Sequence, residues 1–426
     1  TFRYLGPVTD ESRATRLRCD ACAAVKVALH LTSPDRLGIH FSRDNVPRVV
    51  GTIAQIMRRI ALLLFLVLQP RRQPLALGGD GGGELAVVSG DEAYVLDLAT
   101  NVLTHVASNA TMVGHVDGFF LYLDAKTSTL KISESYDGLT MDPSQFVQRS
   151  AASDRWKAMG IVAPEIYLLG EKTGEVWYNK GTSPFPFAKR SGVVFEPGIL
   201  APWSLAPFGN SLAWLGQSKS GACSVYWMNG YSPNRISNHA IEWVIQQYKE
   251  DGGVSDARGW SHEWKGHPFY ALTFPTQRKT WVYDGVTNGW HERGLYVSVD
   301  NAYDVYRPIF YANCFGKDLV CDSGSAVVYE FSSTTYTDVG GAPLRRLLCP
   351  PGLAKENKRL FLNSVELEAE RGVGLTAGQG VDPQVILRVS GNGGKTWGAE
   401  RWRSLGVKGA WDQRIRWDQC GSGRDL

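Results

Sequence analysis

The stretch Phe208-Gly209-Asn210-Ser211-Leu212-Ala213-Trp214-Leu215-Gly216-Gln217 opens a run of short aromatic strands, one helix and a closing hairpin that continues to residue 294. Neighbouring side chains in a strand point to opposite faces. Ser211, Ala213 and Leu215 therefore share one face, and Leu212, Trp214 and Gly216 share the other. Apolar groups on both faces require cover on both, as in a sheet stacked between two others. Further on, Trp281-Val282-Tyr283-Asp284-Gly285 reads as a strand ending in a turn, because Asp-Gly accepts the positive dihedral angles of a tight hairpin, and Asn288-Gly289 gives a second turn signal before Trp290.

The phrase at 281–284, two or three aromatic or β-branched residues and then an acid or amide, recurs along the chain. Its copies are Tyr94-Val95-Leu96-Asp97, Val176-Trp177-Tyr178-Asn179, Tyr226-Trp227-Met228-Asn229 and Val327-Val328-Tyr329-Glu330, with a weaker one from Lys131-Ile132-Ser133 to Tyr136-Asp137. The strong copies lie roughly 45 to 55 residues apart, except for one gap of about 80 that the weaker copy fills, and this is the period of propeller blades. Opening strands at 117–124, 165–170, 212–216, 269–274 and 309–311 precede the phrases, as blades of three or four antiparallel strands require. The expectation is a mainly β protein, a β-propeller of about six blades over residues 78–338.

Composition agrees with this class. Fourteen Trp, 17 Tyr, 16 Phe and 46 Gly in 426 residues favour strands and tight turns over a helical bundle. A net charge of +3 excludes a global basic field of the kind a free-standing nucleic-acid binder carries. Seven cysteines (Cys19, Cys22, Cys223, Cys314, Cys321, Cys349 and Cys420) are too sparse for a disulfide scaffold, so they read as reduced, buried thiols. No secretory signal is visible, and the most apolar run, 60–68, is about half the length of a bilayer span, so it reads as a buried core element. The chain reads as soluble, without a membrane contact.

Residues 1–77 differ in texture: they are rich in Arg, carry Cys19 and Cys22 close together, and look helical around Met57-Arg58-Arg59-Ile60-Ala61-Leu62. A helical arm and an adaptor segment both remain open for this N-terminal segment, whose fold the sequence leaves uncertain. A glycine-rich join at 78–83 follows. Within the propeller the one helix is expected from Ser237 to Tyr248, capped by Ser237 or Asn238, with Ile241, Val244, Ile245 and Tyr248 on one face. Residues 339–426 form an additional C-terminal β unit, with alternating strands around Val365 and Leu367 and around Val385 and Leu387, which either makes a small sandwich or completes the ring.

The sharpest local motif is Ser390-Gly391-Asn392-Gly393-Gly394-Lys395-Thr396-Trp397, which resembles the Asp-box hairpin of sialidases with Asn392 in the acid's place. In such a hairpin the amide bonds the turn backbone, Gly394 permits the reversal, and Trp397 packs beneath, so Ser390, Asn392, Gly394, Thr396 and Trp397 are structural residues. Arg388, Arg401, Arg403, Arg414 and Arg416 lie nearby, but the 401/403 and 414/416 pairs alternate on exposed strands, where a solvated face is the ordinary reading. His262 and His267 are five apart and cannot share a helix face as a zinc protease needs, and Cys19 and Cys22 have no second pair nearby in sequence. His239 and His291 read as satisfied structural histidines. The sequence nominates no catalytic, cofactor-binding or metal-ligating residue, and the chain reads as a non-enzyme.

Several runs in order, Thr173-Gly174-Glu175-Val176-Trp177-Tyr178-Asn179 with Phe185-Pro186-Phe187, 234–242, 272–275, 281–284, Trp290-His291-Glu292-Arg293, 393–398, 402–406 and Arg414-Ile415-Arg416-Trp417, resemble the packaged-DNA stabilisation proteins, or tail hub (nozzle) proteins, of short-tailed bacteriophages. The resemblance covers about residue 82 onward and implies a β-propeller. It also implies a structural virion protein of the phage tail, assembled in the host bacterial cytoplasm. In the virion it would form a homo-hexameric ring below the portal and its adaptor, the head-completion protein, with the tail needle or tailspike proteins as further neighbours. The ring would retain packaged double-stranded DNA and form part of the ejection channel, touching DNA without sequence preference. Residues 1–77 depart from that family's strand-rich opening. A propeller-type carbohydrate-binding or sialidase-like protein is the alternative, motivated by the Asp-box-like hairpin and the aromatic content.

Overall fold

The structure, a computed structural model, describes residues 83–425 apart from 150–153, 219–220, 298–301, 315, 326, 343, 351, 355, 357 and 379, together with the backbone of four strands before residue 80. The expected helix at 57–62, the apolar run at 60–68, Cys19 and Cys22 lie outside the described residues. Contacts divide the chain into two compact units, one of Arg3–Leu295 with Tyr303–Phe331, the other chiefly Tyr296–Ala302 with Ser332–Leu426.

The first unit is a six-bladed propeller. Successive antiparallel sheets span residues 75–108, 112–148, 156–195, 198–235 and 258–293, and the sixth combines Pro308–Cys314, Lys317–Asp322 and Val327–Phe331 with the early strand Phe2–Pro7. The first strands of successive blades contact one another, which puts them on the inner side of the ring. Each recurring phrase lies on the third strand of its blade: Glu92–Asp97, Thr129–Ile132, Gly174–Asn179, Cys223–Asn229, Lys279–Asp284 and Val327–Phe331. The polar residue that ends the phrase has a local reason to be there. Asp97 Oδ1 accepts the Ala99 N–H at 2.7 Å, Asn179 Oδ1 the Gly181 N–H at 2.9 Å, and Asp284 Oδ1 the Val286 N–H at 2.9 Å, so each caps the turn into the fourth strand.

The strands read from sequence as blade openers at 165–170, 212–216 and 269–274 are second strands. The true first strands, such as Trp156–Val162 and Arg258–Trp264, come earlier and lack a simple apolar alternation, since small residues let the crowded inner ring close. At Gly259 a Cβ would stand 2.1 Å from the Ser204 carbonyl oxygen, so only glycine fits there. Gly78 and Gly79, expected in a flexible join, belong to the strand Leu75–Gly79.

Apolar cores lie between blades. Ala86, Val88 and Val95 of the first blade meet Val113, Phe120 and Tyr122 of the second. Leu121, Leu123 and Leu130 of the second meet Trp156 and Tyr167 of the third, which meet Leu212, Trp214 and Met228 of the fourth. Helix α1 (His239–Glu250) follows the fourth blade, with Asn238 Oδ1 accepting the Ile241 N–H at 3.0 Å as its cap. Ile241 and Ile245 enter the core shared with the fifth blade. Ser237, the other candidate cap, instead accepts the Val225 N–H and donates to Glu242.

In the second unit Leu360–Glu366 pairs with Arg416–Gly423 and Gln384–Leu387 with Arg401–Ser404, and Ile415, Trp417 and Cys420 form its core. The ring is completed by the early strand Phe2–Pro7 and not by this unit. Cys223, Cys321 and Cys420 are buried free thiols, but Cys349 is exposed, against the expectation of uniformly buried thiols.

Candidate functional site

The propeller carries a cleft of about 330 Å³, lined from four successive blades by Asp91, Thr111, Met112, Lys157 and Trp203 among others. Its charged groups are already engaged. Asp91 pairs with Lys126 at 2.6 Å, Lys157 with Glu171 at 3.0 Å, and the Thr111 hydroxyl donates to the Leu123 carbonyl at 2.8 Å. Nothing in the cleft pairs a nucleophile with a base.

His262 and His267 occupy the two strands of one hairpin, with Trp264 opposite His267 and Phe269 opposite His262. His267 Nδ1 lies 3.0 Å from the Asp284 carboxylate. His262 is buried among Trp260, Phe269, Tyr311 and Phe331, and its Nε2 lies 3.5 Å from an Arg293 N–H. Burial, with the Arg293 charge beside it, pushes this imidazole down to about 3. The ring is a neutral part of the seam between the fifth and sixth blades. Among the described residues no three His, Cys, Asp or Glu side chains converge as a metal site would require. His239 lies exposed at the start of α1, and His291 is also exposed and accepts from Arg293 Nε at 3.1 Å, so neither sits in a core.

The five residues of the Asp-box-like motif come together in one tight turn. Asn392 Oδ1 accepts the Thr396 N–H at 2.9 Å and the Ser390 hydroxyl at 2.9 Å, while Asn392 Nδ2 donates to Thr396 Oγ1 at 2.8 Å. Ser390 Oγ accepts the Gly394 N–H at 2.9 Å, and Gly394 holds φ at 82°, a left-handed conformation suited to glycine. All these bonds are internal to the turn. Trp397 is 44% exposed, with the Arg388 guanidinium 5.9 Å from its ring centre, so it covers the hairpin's flank and is not sealed beneath it.

The neighbouring arginines do not converge on a common point. Arg401 donates to the Asp418 carbonyl at 2.6 Å, Arg403 Nε to the Arg416 carbonyl at 2.9 Å, Arg414 binds Glu366 through two bonds of 2.6 and 2.8 Å, and Arg416 pairs with Asp418 at 2.7 Å. Arg401 and Arg403 tie the strand at 401–404 to the strand at 416–423. Sequence reasoning missed two buried ion clusters: Arg149 with Asp154 and Glu175, and Arg307 with Asp322, whose side chain is fully buried. Residues on different blades form the first, so no local spacing announces it.

Two family models match the chain: bacteriophage P22 Gp10, β-propeller, over residues 20–336, and bacteriophage P22 Gp10, β-sandwich, over 345–426. The propeller match begins ahead of the boundary at 78 read from the sequence. A curated relative, tail hub protein gp10 of Salmonella phage P22, is 24% identical over 247 residues, 56% of this chain and 48% of that protein. The chain thus spans about half the length of this curated relative. Solved structures similar in shape include BamB from Moraxella catarrhalis (10% identity, 62% of this chain and 84% of that one, TM-score 0.35) and the N-terminal domain of Nup159 (10%, 77% and 94%, TM-score 0.37). Likeness at that level carries no argument about function.

Proposed function

The chain belongs to the bacteriophage P22 Gp10 family, and from that premise we propose that it is a structural protein of a phage tail hub. It assembles as a homo-hexameric ring below the portal and its adaptor, retains packaged double-stranded DNA and forms part of the channel through which that DNA leaves. The tail needle or tailspike proteins are its further neighbours in the virion. Its role is assembly and not turnover.

The observation that carries this reading is the ordered match of both family modules, propeller then sandwich, over 20–336 and 345–426. The packing agrees with such a role: blade-to-blade cores give a rigid wall, and the cleft and histidine pair are spent on internal contacts. A closed ring of identical subunits needs heterologous interfaces around one axis, which a rigid propeller can supply. No helix of the described residues is long and apolar enough to cross a membrane.

The carbohydrate reading rests on the Asp-box-like hairpin and the aromatic content. The arginines that would have to gather around a sugar carboxylate are bonded to carbonyl and carboxylate oxygens of their own unit. Filled heads assembled with and without the chain test the proposal, read as nuclease-protected DNA. Retention only when the chain is present supports it. Retention indifferent to the chain removes it and brings glycan screening forward.

A further inference from the structure

We infer that the C-terminal unit grips the phosphodiester backbone of DNA in a basic hollow at the end of its longer strand pair, an inference that rests on the tail reading above. Charge is segregated along this chain. Residues 345–426 hold 14 Lys and Arg against 9 Asp and Glu, whereas residues 1–344 hold 31 against 33. The near-neutral total therefore hides a cationic module attached to a slightly anionic propeller.

Much of that positive charge is held in place without being cancelled. Arg401 and Arg403 donate to main-chain carbonyls, Arg371 to the Gln413 carbonyl, Arg359 to the Ser422 hydroxyl, and Arg388 lies over the Trp397 ring. Neutral acceptors fix a guanidinium and leave its charge available to an anion.

Three of the unit's cations, Lys358, Arg359 and Arg424, line a hollow of about 520 Å³ together with Gly391, Ser422 and Gly423. None of these six is an acid. Arg359 Nε is oriented by Ser422 Oγ at 3.0 Å, and Arg424 is exposed with no carboxylate at ion-pair distance among the described residues. Lys358 meets Glu356 at 2.6 Å, an exposed pair of the kind that contributes little and exchanges readily. The floor is main chain: a Cβ on Gly423 would stand 2.6 Å from the Gly391 carbonyl oxygen, so no side chain rises there. The Asp-box-like turn braces this floor, because the Gly393 N–H donates to the Asp425 carbonyl at 2.9 Å. A wide cationic hollow with a bare floor, inside a unit with 14 cations against 9 acids, fits a repeating row of phosphates better than a single carboxylate.

The test is binding of the full chain to a fluorescein-labelled DNA duplex of arbitrary sequence, by anisotropy across a salt series. The triple variant Lys358→Gln, Arg359→Gln, Arg424→Gln should bind about tenfold more weakly. Its log–log salt slope should flatten by roughly 2 to 3, since each lost phosphate contact removes about 0.9. Lys358→Arg with Arg424→Lys should keep both affinity and slope. If the triple variant melts early, Arg424→Glu alone, on an exposed residue, should still weaken binding. Unchanged affinity and slope would overturn the inference, as would a wild-type chain that ignores the duplex but binds polyglutamate through these residues. If heads keep their DNA without the chain, the tail reading fails; if retention needs the chain while the variant binds duplex normally, this inference alone fails.

Discussion

The propeller and the C-terminal unit solve opposite problems. In the propeller, Trp156, Trp214 and Tyr270 are fully buried between sheets, and each core is shared by neighbouring blades. In the C-terminal unit, two two-stranded pairs bury only Ile415, Trp417 and Cys420 of the described apolar cluster, with half-buried side chains such as Leu362, Val365 and Leu387 around them, while Trp402, Trp411, Phe361, Leu347 and Leu348 remain exposed. Two-stranded pairs cannot cover both of their faces, so arginine bonds to strand carbonyls supply part of the tie that packing supplies elsewhere. The difference teaches that stability is concentrated in one unit and surface chemistry in the other.

The largest expected effect breaks the propeller. Trp214→Ala removes a buried ring whose Nε1–H donates to the Gly198 carbonyl at 3.2 Å, and should cost about 3 to 5 kcal/mol in chemical denaturation. A loss below about 1 kcal/mol would mean the blades are not packed as described.

Acid sharpens the comparison at intermediate size. The folded His262 titrates near 3 against an ordinary value near 6.5, so below pH 6.5 the unfolded chain binds the extra proton. This depressed value makes its contribution fully present above pH 6.5 and progressively lost as pH falls toward 3. At pH 5 the loss is about 2 kcal/mol relative to neutral pH, and His262→Phe should abolish that part of the slope. Residues 332–426 contain no histidine, so no comparable loss between pH 7 and 5 is expected from that unit. Equal pH slopes in wild type and His262→Phe would contradict the buried placement.

The smallest effect lies on the exposed face of the C-terminal unit. Trp402→Ser, at 51% exposure, and Trp411→Ser, at 63%, should each change stability by no more than about 0.5 kcal/mol. A drop of several degrees in Tm for either would show that the ring is covered in the free chain and would weaken the contrast.

Much of the propeller was legible because its third strands carry a chemically distinct ending. Asp97, Asn179 and Asp284 each cap a turn, so the phrase repeats wherever a blade repeats. First strands were harder to see, since Gly160 and Gly259 answer to a side chain and a backbone on a neighbouring blade and not to any local period. Ring closure through Phe2–Pro7 joins residues more than 300 positions apart and leaves no pattern in either segment. The Asp-box-like turn was visible because the side-chain bonds that shape it are local, from Ser390 to Thr396. The hollow beside it was not, because Lys358 and Arg424 meet only through the pairing of 360–366 with 416–423, and Gly391 joins them only through the turn's bond to Asp425.

Electron cryomicroscopy of the tail on virions that encode this chain tests the central claim most directly. The account predicts a sixfold ring below the adaptor into which the six-bladed propeller fits, one copy per subunit. A tail whose density has no place for the propeller, in a virion that lacks the chain by mass spectrometry, would contradict it.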